Sequence, residues 1–428
     1  MKFLYKGTTG LLEKNIFLAA NSLREYLDLL QQTTNTNDYK IYEGSIVLPS
    51  DTKNIAEVLK KSEELRNPKL RYFVDIGIGG SNLGTKAIYD ALFGFFDVIE
   101  PARMPKMLFA DTSNPTHLQK LSAFLKNTIK HKDEVVVNII SKSGSTTETI
   151  ANAEVVLAAL SGVNEIASRV VLTTDTGSQL DAYAAKKGYS ALHLPKLVGG
   201  RYSVFSTVGL LPLATIGVDI KKLTQGAVAA RAMSLDTNVN SNPAILSAST
   251  LYLLGKTGKT INDNFFFHGE LESLGKWYRQ LMGESIGKEG RGITPTVSIG
   301  STDLHSVAQL YYGGPKDKIT TFIRADKVKK DINVPQEMIF EGLVSDISGQ
   351  PLSHIMHAIE QGVAISYKNE NMPYTEIILT DISEYSLGEF MQFKMIEMMF
   401  LGKLLDINTF DQPHVELYKT EMKKILAQ

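Results

Sequence analysis

Two short apolar runs, each ending in a loop of small residues and followed by a helical pattern, constrain this chain more than any other feature. Residues 72–78 run into Gly77-Ile78-Gly79-Gly80-Ser81-Asn82-Leu83-Gly84. Residues 135–140 run into Ser141-Lys142-Ser143-Gly144-Ser145-Thr146-Thr147-Glu148-Thr149. A strand that is apolar on both faces belongs in a parallel sheet covered on both sides. Further strands are expected at 106–109, 169–173 and 191–194, with helical patterns at 85–95, 115–130, 148–160 and 178–187. Such alternation implies an α/β fold.

The rest of the chain repeats the style more loosely. Helices are expected at 11–32 and 54–66, and later at 244–255 and 270–282. Strands are expected at 260–267 and 375–380, and further elements begin near 319 and 364. Residues 387–405 are apolar almost all round and include Met391, Met395, Met398 and Met399, which marks a buried helix with a methionine-filled core. The polar stretch 219–242 reads as a boundary, giving one domain over 1–220 and a second over 243–428.

Composition removes several function classes. Among 428 residues, 45 basic and 46 acidic side chains leave a net charge of −1, without the basic surface that nucleic acid requires. With no cysteine there can be no disulfide, thiolate metal site, iron–sulfur cluster or cysteine nucleophile. The N-terminus lacks a signal-peptide core. The longest apolar stretch, 204–218, is broken by Ser206, Thr207, Pro212 and Thr215 and falls short of the ~20 residues that span a bilayer. A soluble cytoplasmic protein with no membrane partner is expected.

The first loop nearly fits two nucleotide motifs and fails both. Asn82 stands where a dinucleotide fingerprint has its third glycine, and Gly84 is followed by Thr85-Lys86, the reverse of the P-loop order. A tight turn would explain these glycines. So would a phosphate or sugar lying close to the backbone at a helix N-terminus. The second loop is more specific. One hydroxyl there can cap a helix, but capping cannot use so many. Hydroxyls and free N–H groups at a helix start suit a single phosphate, so a phosphorylated small metabolite is the expected ligand.

Arg201 directly follows Gly199-Gly200 and can reach an oxyanion with little obstruction, although alone it reads as a surface ion-pair residue. If the helix continues through 280–288, Gln280 and Glu284 share one face. Exposed glutamates are usually inert, whereas one aimed into a dry site with a lifted pKa can act as a base. His354 and His357 lack a third ligand and read as structural, and no metal-site spacing is present. Lys419, Lys423 and Lys424 pass as a solvated face.

Taken together, these segments resemble the glucose-6-phosphate isomerase family in its shorter bacterial form. The likeness runs through 77–84, 141–149, 197–209, 280–288, 301–309 and 402–419 in the family's order. Lys196 and His414 depart from its usual residues. The resemblance implies two sugar-isomerase (SIS) domains of α/β/α sandwich type with mainly parallel sheets. It also implies a homodimer with shared active sites, and neither cofactor nor metal. Ser141, Ser143, Thr146 and Ser81 would hold the phosphate of a sugar phosphate. Gly80, Gly200 and Gln412 would line the sugar, with Gln280 beside them. Glu284 would carry the proton between carbons 2 and 1, and Arg201 would stabilise the enediolate. His305 of the partner subunit and Lys419 would assist ring opening. The implied reaction interconverts glucose 6-phosphate and fructose 6-phosphate, in glycolysis and gluconeogenesis. Two other classes stay open. One is a non-catalytic sugar-phosphate sensor, which needs only the phosphate cradle. The other is a nicotinamide-dependent dehydrogenase, suggested by the glycine-rich turn.

Overall fold

The structure, a computed structural model, describes residues 1–36 and 38–428. Its strands are β1 (Lys2–Leu4), β2 (Tyr72–Ile76), β3 (Lys106–Ala110), β4 (Val135–Ile140), β5 (Val170–Asp175), β6 (Ser190–Leu194), β7 (Ile261–Phe266), β8 (Thr294–Ile299), β9 (Lys318–Ala325) and β10 (Tyr374–Leu379). They form two five-stranded sheets, β3-β2-β4-β5-β6 and β1-β10-β9-β7-β8. The first is parallel throughout. In the second only β1 runs antiparallel, against β10. The expected α/β class with mainly parallel sheets therefore holds, and helices connect the strands.

β2 and β4 are buried at every position, as their continuous apolar runs required. Two polar residues face each other inside them, Asp75 opposite Asn138. Asn138 donates to Asp75 (3.1 Å) and accepts from the Thr173 hydroxyl (2.9 Å). Burial pushes the Asp75 carboxyl up to about 8. The folded chain thus keeps a proton that the unfolded chain, with an ordinary value of 3.8, releases. Asp75 therefore makes stability fall as pH rises from about 4 to about 8. In Asp75→Asn that slope disappears, so the variant's urea midpoint should gain on the parent's steadily from pH 5 to pH 8. A difference that stays constant with pH would show that Asp75 is ionised in the folded chain.

One expectation needs correction. The helix expected over 11–32 is two helices, Glu13–Asn21 and Arg24–Thr36, with the helix broken between them at Ser22-Leu23. Ile16 packs with Tyr5 and Leu246, while Leu27 and Leu30 enter the main core. The polar stretch 219–242 contains the helix Ile220–Ser234, begun by the Asp219 side chain capping Lys222. β1, at the chain's start, lies in the sheet of the second half.

The helix Glu384–Leu405 is buried from Ser386 to Gly402 and runs through the largest apolar cluster, which draws on both halves of the chain. It touches the helix Ile220–Ser234 backbone to backbone. A Cβ on Gly388 would lie 1.9 Å from the Leu223 carbonyl oxygen, and one on Gly226 would lie 1.9 Å from that of Tyr385. Only glycine allows helices this close. No helix among the described residues is long and apolar enough to cross a membrane.

Candidate active site

The parallel pairing of β2 with β4, which sets Ile76 opposite Ile139, delivers both glycine- and hydroxyl-rich loops to the same sheet edge. After β2 the chain turns through Gly79–Ser81 and enters the helix Leu83–Phe93. Gly79 has a φ of +58°. A Cβ on Gly80 would sit 2.2 Å from the Gly200 carbonyl carbon and 2.6 Å from Arg201 N, so position 80 admits no side chain. The turn is thereby pressed against Gly199-Gly200-Arg201.

After β4, Ser141 organises the second loop. Its hydroxyl lies 3.0 Å from that of Thr146 and accepts from the Gly144 (3.1 Å) and Thr146 (3.4 Å) N–H groups. Ser143 Oγ accepts from the Ser145 N–H at 3.3 Å. Thr146 is the cap residue of the helix Thr147–Ala159, yet its side chain makes no capping bond. The helix N-terminus therefore keeps its first-turn donors open toward an anion. Lys142 donates to the Val198 carbonyl (3.0 Å) and ties this loop to the segment before Arg201. Burial lowers the pKa of Lys142; Asp175 opposes that shift, and neighbouring Lys196 adds to it.

Arg201 is the centre of the site. Its side chain is 1% exposed, and all five guanidinium N–H donors have acceptors. Nε donates to Ser285 Oγ (2.9 Å). One terminal nitrogen reaches Glu284 Oε2 (3.1 Å) and Gln412 Oε1 (2.8 Å). The other reaches the carbonyls of Thr409 (2.6 Å) and Asp411 (3.1 Å). The helix Glu272–Ile286 continues past position 280, so Gln280 Nε2 donates to Glu284 Oε1 at 3.1 Å. Both carboxylate oxygens of Glu284 are thus held, with the side chain still 30% exposed. Gln280 also lies under the first loop, since a Cβ on Gly79 would come 2.9 Å from its Nε2. Lys288, its pKa lowered by burial, pairs with Asp411 at 2.8 Å and fastens the 409–412 segment.

Hydrogen bonds and close backbone approaches join Gly80, Gly200, Arg201, Gln280, Glu284 and Gln412, and a second group, Ser141, Ser143 and Thr146, sits on the neighbouring strand end with Ser81 in the adjoining turn. Two expected residues stand apart. His305 is exposed on the turn Thr302–His305 and has no side-chain hydrogen bond among the described residues. Lys419 pairs with Glu416 (2.7 Å) on the helix Glu416–Leu426, which buries none of its residues. His414 is exposed on the preceding turn. Sequence reasoning missed Ser285, although it adjoins Glu284 in the same motif. It had no signal for the carbonyls of Thr409 and Asp411. Among the described residues no group of three His, Asp or Glu is arranged to hold a metal.

The sequence model of the phosphoglucose isomerase family matches residues 52–428. The chain belongs to the phosphoglucose isomerase family. Among relatives of this family, glucose-6-phosphate isomerase of Methanocaldococcus jannaschii is 37% identical over 355 residues, covering 83% of this chain and 84% of that one. The enzyme of the same name from Levilactobacillus brevis is 33% identical over 432 residues, covering 96% and 94%. The solved structure of a hypothetical protein from Thermus thermophilus is similar over 100% of both chains, with a TM-score of 0.86 and 30% identity. The family resemblance drawn from the motifs holds, and with it the expectation of a sugar-phosphate isomerase.

Proposed function

We propose that this chain interconverts glucose 6-phosphate and fructose 6-phosphate through an enediolate. The observation that carries the reading is the carboxylate of Glu284 held 3.1 Å from the guanidinium of buried Arg201, beside a backbone turn that no side chain obstructs. From the aldose, Glu284 takes the proton on carbon 2 and the electrons move onto oxygen 1. The carboxylic acid then returns that proton to carbon 1 while another passes from oxygen 2 to oxygen 1, so no atom is gained or lost. A positioned base supplies about 10²–10⁴-fold. A fixed cation at the enediolate supplies about 3–4 kcal/mol by analogy with oxyanion-hole donors.

In this reading Ser141, Ser143 and Thr146, with Ser81, hold the phosphate, and binding energy at that remote group positions the reacting carbons. Gly80, Gly200 and Gln412 line the sugar, and Gln280 orients Glu284. His305 serves the site of a second copy, and Lys419 helps open the ring. The exposure of His305 supports a homodimer, as do Leu417, Tyr418, Ile425 and Leu426, each more than half exposed on the last helix. A cytoplasmic location accords with the absence of cysteine.

A coupled assay that converts fructose 6-phosphate to glucose 6-phosphate tests the function. Turnover is expected; tight binding without turnover would make the chain a sensor instead. The double variant Ser143→Ala/Thr146→Ala tests the cradle. Charge-assisted hydrogen bonds contribute about 1.5–3 kcal/mol each, so KM should rise about a hundredfold with a smaller change in kcat. An unchanged KM would remove the phosphate from this loop.

A further inference from the structure

The second sheet repeats the strand order of the first. In each, one strand has its successor on one side and the next strand on the other, giving β3-β2-β4 and β8-β7-β9. Such a reversal opens a crevice beyond the carboxyl ends of the two central strands, and open α/β sheets bind ligands there. In the first sheet this crevice is flanked by Gly79–Ser81 and the 141–146 loop. In the second it is a cleft of about 660 Å³, bordered by Phe267 and His268 beyond β7 and by Arg324, Ala325 and Asp326 at the end of β9. That volume suits a small molecule. The cleft is separate from the site of Glu284. The helix Glu272–Ile286 begins just beyond His268 and carries Glu284 near its far end, about 18 Å along at 1.5 Å per residue.

The acids of the cleft are committed to protein partners. Glu360, with 8% of its side chain exposed, lies 2.6 Å from Arg324 Nε and 3.6 Å from His357 Nδ1. Asp326 pairs with Arg324, and Asp331 accepts from the N–H and hydroxyl of Ser353. His268 Nε2 accepts the Ala325 N–H at 3.1 Å, which leaves its proton on Nδ1. The bases keep spare donors. Lys330 and His354 have no hydrogen-bonded or ion-paired side-chain partner among the described residues, and both line the cleft. Arg324 turns Nε to Glu360 and one terminal nitrogen to Asp326, while its other terminal nitrogen has no hydrogen-bonded partner among the described residues.

We propose that this cleft is a second anion site that takes a small organic phosphate, with Arg324 at its floor and Lys330 and His354 at its mouth. Titration calorimetry of the full chain with inorganic phosphate tests it. The parent should bind two phosphates per chain, one at each crevice. Lys330→Ala/His354→Ala, both exposed positions, should weaken one of the two at least tenfold. Its kcat and KM in phosphate-free buffer should not change. Ser143→Ala/Thr146→Ala should lose only the other phosphate. Two sites that both survive in Lys330→Ala/His354→Ala would overturn the proposal. So would a single parental site that disappears in Ser143→Ala/Thr146→Ala. If instead the phosphate loop variant keeps both sites while Lys330→Ala/His354→Ala loses one, the second site stands and the cradle assignment falls.

Discussion

Glu284→Gln should lose about 10²–10⁴-fold in kcat, fold normally, and bind fructose 6-phosphate about as well as the parent. The size of the loss follows from removing a positioned base, which contributes about 10²–10⁴-fold. The retained binding follows from the surroundings. An amide at position 284 presents one oxygen, where the carboxylate offered one to Arg201 and one to Gln280. With that oxygen turned to Arg201, the new NH2 faces the NH2 of Gln280. A flip of the Gln280 amide resolves the conflict, because its own Oε1 is buried without a partner. The variant therefore keeps Arg201 in place and loses only the proton acceptor. The coupled assay gives kcat, and calorimetry with fructose 6-phosphate gives the affinity. A kcat near that of the parent would remove Glu284 as the base. A loss of affinity matching the loss of turnover would make it a binding group.

How much of this site could be read from residues alone depends on how local each contact is. The two loops were legible because apolar runs such as 135–140 end abruptly in small or hydroxyl residues, and parallel pairing then brings adjacent strand ends together. The pairing of Gln280 with Glu284 was legible because helix geometry fixes neighbours four apart. The environment of Arg201 was not. Its acceptors come from Ser285 and from backbone carbonyls at 409 and 411, and a carbonyl leaves no trace in residue type. The packing of the 219–242 stretch was hidden for a related reason. Polar residues at 236–242 follow a helix whose Gly226 packs against the Tyr385 carbonyl and whose Leu223 carbonyl packs against Gly388, and those contacts between distant segments have no local signature. His354 and His357 were read as structural, and His357 does face Glu360, but the cleft they border exists only through the order of strands in the second sheet.

The largest stability effect is expected inside the helix Glu384–Leu405, from Lys394→Met. Lys394 and Glu397 are 1% and 0% exposed, and the ammonium lies 3.0 Å from both carboxylate oxygens. Ser247 and Tyr278 donate to the same carboxylate, Tyr278 at 2.9 Å, and the ammonium sits 4.5 Å from the Tyr278 ring centre. Burial lowers the pKa of Lys394 and Glu397 opposes the shift, so the pair holds its charges only together. Methionine matches the lysine stem but strands a buried carboxylate, which costs about 3–5 kcal/mol. Lys394→Met/Glu397→Gln removes both charges and keeps an oxygen for the two hydroxyls. Neutral replacement of a buried pair is often without penalty, so the double variant should recover most of the loss. Urea denaturation of both variants measures this. Tyr278 lies on the helix that carries Glu284, so the single variant should also lose kcat and the double should regain it. Equal destabilisation in the two variants would assign the position to the packing of the lysine stem and not to charge balance.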